Sequence, residues 1–298
     1  MKKNTPKGLL FLVTAAVIWG AAFVAQRVGA DKITPFFFNA SRFIVGAVSL
    51  IPLIFIFERG ATDRKMMKTT AVTGVIAGLI LFTASYLQQL GVGLTDSAGK
   101  SGFITGLYMI IVPIIGIFIG KKTAVNTWIG AILGVGGLFL ICMSGTKLTF
   151  TPGDLVLIGC AVMFAVHILV IDHFGDRMYS LRFSMIQFAT AGVVSLIFAF
   201  IFEPVGLKPI RDAIIPILYC GIFSTGVGYT CQTLGQKFSE PTSASIILST
   251  ESVFSAVFGA IILSERMLPT AYVGCVLIFA GIIITQLDFK KIIRKKGA

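Results

Sequence analysis

Runs of about twenty apolar residues, separated by short polar stretches, recur ten times along the chain. They lie at about 8–28, 35–57, 69–91, 97–119, 124–143, 153–171, 180–202, 211–233, 242–264 and 268–287. A helix rises about 1.5 Å per residue and the hydrocarbon layer is about 30 Å thick, so each run is near the length needed to cross it. The longest polar stretch, around Glu58–Lys68, holds about ten residues, which leaves no room for a soluble catalytic domain. The tightest gap, near Met267, leaves only a hairpin between the last two runs. The pattern predicts an all-α membrane protein of ten transmembrane helices.

Composition agrees. Of 298 residues, 56% are hydrophobic and only 13% charged, where a soluble domain carries about 25% charge. The net charge of +12 comes from 25 Lys and Arg against 13 Asp and Glu. Basic residues that flank spans meet anionic lipid head groups, and no folded basic face for a nucleic acid is visible. With the N-terminus inside, inner segments hold seventeen of the 25 Lys and Arg and outer segments seven, with Arg42 left within the second run. The positive-inside rule then places both termini in the cytoplasm of a cell-membrane protein. The opening MKKNTPKGLLFLV has the basic-then-apolar order of a signal peptide, but its apolar run is too long and reads as an uncleaved first helix. All five cysteines fall inside apolar runs without CxxC spacing and read as small hydrophobes, so no disulfide framework, metal site or cofactor is expected.

The chain repeats itself. Trp128-Ile129-Gly130…Gly137 in the fifth run matches Tyr272-Val273-Gly274…Gly281 in the tenth. Thr95–Ala98 precedes the fourth run as Pro241–Ala244 precedes the ninth. The expected halves are 1–146 and 147–298, five spans each. An odd number of spans per half means that the second enters from the opposite side. Inverted halves of this kind support two near-equivalent packings around one site.

Few strongly ionisable groups lie at membrane depth: Glu251 in the ninth run, Arg42 in the second and His167 in the sixth. A charged residue there costs about 2.5–3.5 kcal/mol on insertion scales, so it usually faces a wet cavity or a partner. Glu251 reads as a coupling or cation-binding group, or as a carboxylate that fixes packing. Arg42 suits bidentate recognition of a carboxylate, or snorkels outward; a pair with Glu251 is also open to it. His167 has packing and proton transfer as its two readings. Trp19, Tyr86, Tyr108, Tyr229, Gln88, Gln89, Gln187 and Gln232 have the types that an apolar cavity with sparse polar groups needs, with helix packing as the alternative reading of each. Gly74–Gly78, Gly102–Gly106, Gly116–Gly120 and Gly130–Gly134 are GxxxG pairs, which let helices approach closely within one chain or between two. Pro52, Pro113 and Pro216 are expected to kink their spans.

The chain resembles the drug/metabolite transporter superfamily, specifically its EamA-like ten-helix branch. The likeness rests on Ala16–Gly20, Ala40-Ser41-Arg42-Phe43, Phe103–Tyr108…Pro113 and Trp128-Ile129-Gly130…Gly136-Gly137 in the first half. In the second it rests on Gln232…Gln236-Lys237, Thr250–Phe254…Ser264-Glu265 and Gly274…Gly281. Two departures stand out: Ser252 where a proline often follows the glutamate, and Lys121-Lys122 where an acidic residue is common. The resemblance implies a secondary transporter that exports or exchanges small polar or amphipathic metabolites such as amino acids. It would work as monomer or homodimer, with proton coupling through Glu251 one option. No GxxxxGK[ST] sequence is present to bind ATP. A non-transporting scaffold or sensor is the main rival. An intramembrane enzyme is weaker, because no nucleophile–base pair or metal cluster is visible at depth.

Overall fold

A computed structural model describes residues 5–95, 98–142, 151–204, 206–264 and 268–286. The hairpin near Met267, Glu265, the 146/147 boundary and the basic C-terminal stretch lie outside the described residues. Among the described residues the chain is helical throughout, without strands. Eight helical spans are long and apolar enough to cross a membrane, and two shorter apolar helices, Val125–Ile141 and Pro269–Thr285, complete the ten.

The first three spans are α1 (Pro6–Ala30), α2 (Pro35–Phe57) and α3 (Arg64–Gly93). The third starts earlier than the apolar pattern indicates. Asp63 accepts hydrogen bonds from the Lys65 and Met66 N–H groups, which caps α3 inside the basic linker. The fourth span is broken into α4 (Ala98–Gly106) and α5 (Tyr108–Phe118), and α6 (Val125–Cys142) is the fifth. In the second half α7 (Pro152–Phe174) and α8 (Ser180–Phe202) follow, then a short surface helix, α9 (Leu207–Asp212). The eighth span joins α10 (Ile214–Leu218), a π-helical segment (Tyr219–Tyr229) and α11 (Thr230–Gln236). The ninth is broken into α12 (Pro241–Leu248) and α13 (Glu251–Ile262); α14 (Pro269–Gln286) is the tenth. Prolines at the starts of α1, α2, α7 and α12 cost no helical hydrogen bond.

The two breaks fall in corresponding spans, and neither is at a proline. In the ninth, the Ser249 and Thr250 hydroxyls donate to the carbonyls of Ile246 and Ile247, at 2.8 and 2.7 Å. Such back-bonding satisfies carbonyls that a broken helix leaves open. Pro52 and Pro113 lie inside α2 and α5 without ending them. Pro216 sits in α10, just ahead of the π-helical segment.

Packing reproduces the repeat. A Cβ added at Gly137 of α6 would lie 2.4 Å from the Gly274 carbonyl oxygen of α14, and one at Gly274 would lie 2.4 Å from the Gly137 carbonyl oxygen. Gly130 and Gly281 meet in the same reciprocal way at 2.7 Å. The lower-numbered glycine of one helix faces the higher-numbered one of the other, so α6 and α14 are antiparallel. Because α14 is the repeat of α6, the halves are inverted.

The α2–α8 pair shows the same relation. Glu203, at the end of α8, accepts from the Phe36 and Phe37 N–H groups at the start of α2, both at 2.9 Å. Glu58, at the end of α2, accepts from the Leu181 and Arg182 N–H groups of α8, at 2.8 and 3.1 Å. Each carboxylate fills the orphan donors and meets the positive end of its repeat-mate's helix. The fourth span is tied to α7 at both ends, by the Lys100–Asp154 ion pair at 2.8 Å and by Lys121–Asp172. The unusual lysine at 121 thus has an acidic partner in the other half.

The halves close on one shared core that includes Leu12, Phe43, Leu81, Leu138, Phe188 and Leu248. Phe55, Phe118 and Phe200 are exposed on the outer faces, as expected of side chains that meet lipid. The four described cysteines are free.

Candidate functional site

Where the ninth span breaks, Glu251 becomes the first residue of α13. It is only 4% exposed, and one carboxylate oxygen has no protein partner. The next residue fixes this turn: the Ser252 hydroxyl donates to the Gly102 carbonyl of α4 at 2.5 Å. Ser249 reaches Met109 of α5, hydroxyl to sulfur, at 3.4 Å. The two broken spans are therefore stitched together beside Glu251. A proline at 252 could not make the first of these bonds, which gives the departure from the family pattern a physical role.

Arg42 comes from the other half and is 1% exposed. Its Nε donates to Asn39 Oδ1 at 2.8 Å, and its guanidinium sits over Phe43 at 4.9 Å and Phe38 at 5.6 Å. Cation–π contact steadies a cation in a dry setting. One terminal nitrogen has no protein partner. Arg42 and Glu251 line the same central cavity, but no ion pair joins them. Arg42 does not snorkel.

The cavity is narrow, about 20 Å³, which is room for about one water. Trp19, Tyr108 and Gln232 line it, as their residue types suggest. Trp19 is held by its Nε1–H bond to the Ser224 carbonyl at 3.1 Å and by Tyr229, 4.7 Å between ring centroids. Gly228 gives that indole its space, since an added Cβ would lie 2.6 Å from Trp19 Nε1. Tyr108 opens α5 and lies within electrostatic reach of Glu251, while its hydroxyl makes no well-formed hydrogen bond. Gln232 keeps an unpartnered side-chain oxygen, and Gln88, 144 positions earlier in the repeat, lines the same cavity.

Three candidates stand outside the lining. His167 is buried one layer back, with Nε2 2.9 Å from Gln187 Oε1 and its ring edge-on to Tyr229. Gln89 donates to the Gln26 carbonyl at 3.2 Å. Tyr86 stacks on Phe36 with 4.0 Å between centroids, in an aromatic cluster near the start of α2. Sequence reasoning missed Gln26 and Ser224, which do line the cavity. Gln26 could have been found as one of few amides in an apolar run. Ser224 contributes its backbone carbonyl, which no residue type announces.

A second opening of about 250 Å³ lies at one end of the bundle, beside Lys121, Lys122, Asp172 and Glu240. Burial pushes the Glu240 carboxyl above the ordinary carboxylate range, and Asp172 adds to the effect. Among the described residues no cluster of His, Cys, Asp and Glu could hold a metal ion.

Comparison with known proteins gives one consistent answer. An uncharacterized transporter of Archaeoglobus fulgidus is 28% identical over 280 residues, covering 93% of this chain and 85% of that protein. The uncharacterized transporter YoaV of Bacillus subtilis is 25% identical over 293 residues, covering 96% and 98%. A solved crystal structure superposes with a TM-score of 0.78 at 18% identity, covering 97% of this chain and 99% of that one, a likeness of fold. The profile of the EamA-like transporter family matches residues 6–143 and again 151–287. With ten apolar helices in inverted halves, this multi-pass membrane protein belongs to the EamA-like transporter family.

Proposed function

We propose that this protein is a secondary transporter that moves small polar or amphipathic metabolites, such as amino acids, by alternating access through the central cavity. The observation that carries the reading is the meeting of Arg42 and Glu251. They come from opposite halves, both are buried, and both line one cavity with polar atoms left unpartnered. Buried charges without partners are costly, so a ligand that supplies partners is favoured there. An amino acid would offer a carboxylate to Arg42 and an ammonium to Glu251. Between turnovers, Glu251 carries the coupling charge. Gln232, Gln88 and Trp19 shape the cavity, and His167 acts by positioning Tyr229. The cavity holds about one water, so admission of a metabolite requires the halves to part. Units 1–146 and 147–298 rock against one another, with both termini in the cytoplasm and net flow outward.

The test uses purified protein in liposomes loaded with labelled metabolites under imposed pH and sodium gradients. At least one polar metabolite should move with wild type and not with Glu251→Gln, while both proteins keep the same helical content and melting temperature. Equal flux through the two would remove Glu251 from the mechanism. A scaffold would show no flux under any gradient.

A further inference from the structure

Away from the central cavity, a groove of about 700 Å³ opens on the bundle's side where α2 ends and α3 and α8 begin. Ile51, Ile54 and Phe55 of α2 and Met185 of α8 form its walls. Ile51 and Phe55 are 41% and 71% exposed, so the groove is open sideways, toward lipid. Two basic residues, Arg59 and Arg182, complete the lining at the helix ends. The walls lie three to eight residues deeper in the helices than the two arginines, so the groove runs from a basic end into an apolar interior.

The two arginines are only partly engaged. Arg182 donates to the Met67 sulfur at 3.1 Å and to the Glu58 backbone carbonyl at 3.2 Å. Its Nε stands 3.8 Å from the Glu58 carboxylate and makes no hydrogen bond. Arg59 is exposed and makes no hydrogen bond or ion pair among the described residues. The Glu58 carboxylate is itself occupied by the two N–H groups at the start of α8.

The repeat shows that capping does not require these arginines. Glu203 caps α2 as Glu58 caps α8. At that other end the positions equivalent to Arg59 and Arg182, 145 residues away, are Pro204 and Phe37. The cap is kept at both ends of the α2–α8 pair, and the basic pair appears at one. That end is the one expected in the cytoplasm, where basic residues concentrate and meet anionic lipid head groups.

We propose that this groove binds one anionic diacyl phospholipid, its phosphate between Arg59 and Arg182 and an acyl chain along Ile51, Ile54 and Met185. Guanidinium groups match phosphate oxygens in geometry and charge. Basic pockets beside transmembrane helices suit acidic head groups. Because α2 and α8 belong to different halves, the bound lipid bridges the seam between them.

Native mass spectrometry of the delipidated full chain, with phosphatidylglycerol, phosphatidylcholine or inorganic phosphate added, tests this. Wild type should retain phosphatidylglycerol on the order of tenfold better than phosphatidylcholine, and Arg59→Gln should cut that preference about fivefold. Arg59→Gln touches no ion pair and should melt at the wild-type temperature, so the test survives if Arg182→Gln fails to fold. Equal retention of the two lipids by wild type would overturn the proposal. So would an unchanged preference in Arg59→Gln, or retention of inorganic phosphate in place of lipid.

Discussion

Arg42 is held by geometry as much as by charge. Its planar group lies over two phenyl rings and donates to Asn39, and a lysine ammonium would reproduce neither the stacking nor the fork. Arg42→Lys should therefore keep the fold and raise KM for a carboxylate-bearing substrate by about one to two orders of magnitude, the loss of one hydrogen bond to a charged group at about 1.5–3 kcal/mol. Initial rates against substrate concentration in proteoliposomes measure it; an unchanged KM would take Arg42 out of the binding site. Arg42 and Glu251 were legible in the sequence because charge at membrane depth is rare and costly. Tyr86 and Gln89 were less legible, because tyrosine and glutamine tolerate both cavity and packing positions. They sit respectively on a phenyl ring and against a carbonyl. The roles of Ser224 and Ser252 depend on a backbone oxygen and on a neighbour 150 residues away, and neither leaves a mark on residue type.

At the scale of the helix, reciprocal capping of α2 and α8 makes a symmetric prediction. Loss of a capping side chain costs about 1 kcal/mol. Glu203→Ala should lower thermal stability in detergent by about that amount. Glu58→Ala should lower it further, because it also strips Arg182 of its carboxylate neighbour. If neither variant shifts the melting curve, the caps contribute nothing to stability. The α6–α14 contact is stricter. Gly137→Val would drive a side chain into the Gly274 carbonyl, at a cost of about 1–3 kcal/mol for overpacking. Gly136→Val, with nothing within 4 Å of an added Cβ, serves as its control. The ten spans and the repeat were readable from apolar length and from matched glycines. The breaks in the fourth and ninth spans were not, because proline is the breaker that sequence announces. Here the chain breaks at Leu107 and at Ser249–Thr250, where tertiary contacts and hydroxyl back-bonding take its place. The π-helical segment of the eighth span, YCGIFSTGVGY, carries no periodic signature either.

Across the whole molecule, the contacts between halves are of two kinds. Some are close-packed seams, such as the glycine-lined α6–α14 pair. Others flank the central cavity, where the two broken spans meet through Ser249, Ser252 and Gly102. The alternating access proposed above requires the second kind to separate while the first holds. A Cβ at Gly102 would stand 3.3 Å from the Ser255 Cβ, near the 3.5–4.5 Å that a disulfide uses. In a background with the native cysteines replaced, the pair Gly102→Cys and Ser255→Cys should form a bond that locks α4 to α13. The direct measurement is metabolite flux through this double variant in proteoliposomes, oxidised and then reduced. Flux should fall near zero when the protein is oxidised and return near that of the cysteine-free parent when it is reduced; full flux through the oxidised, cross-linked protein would rule out separation of α4 and α13 during transport.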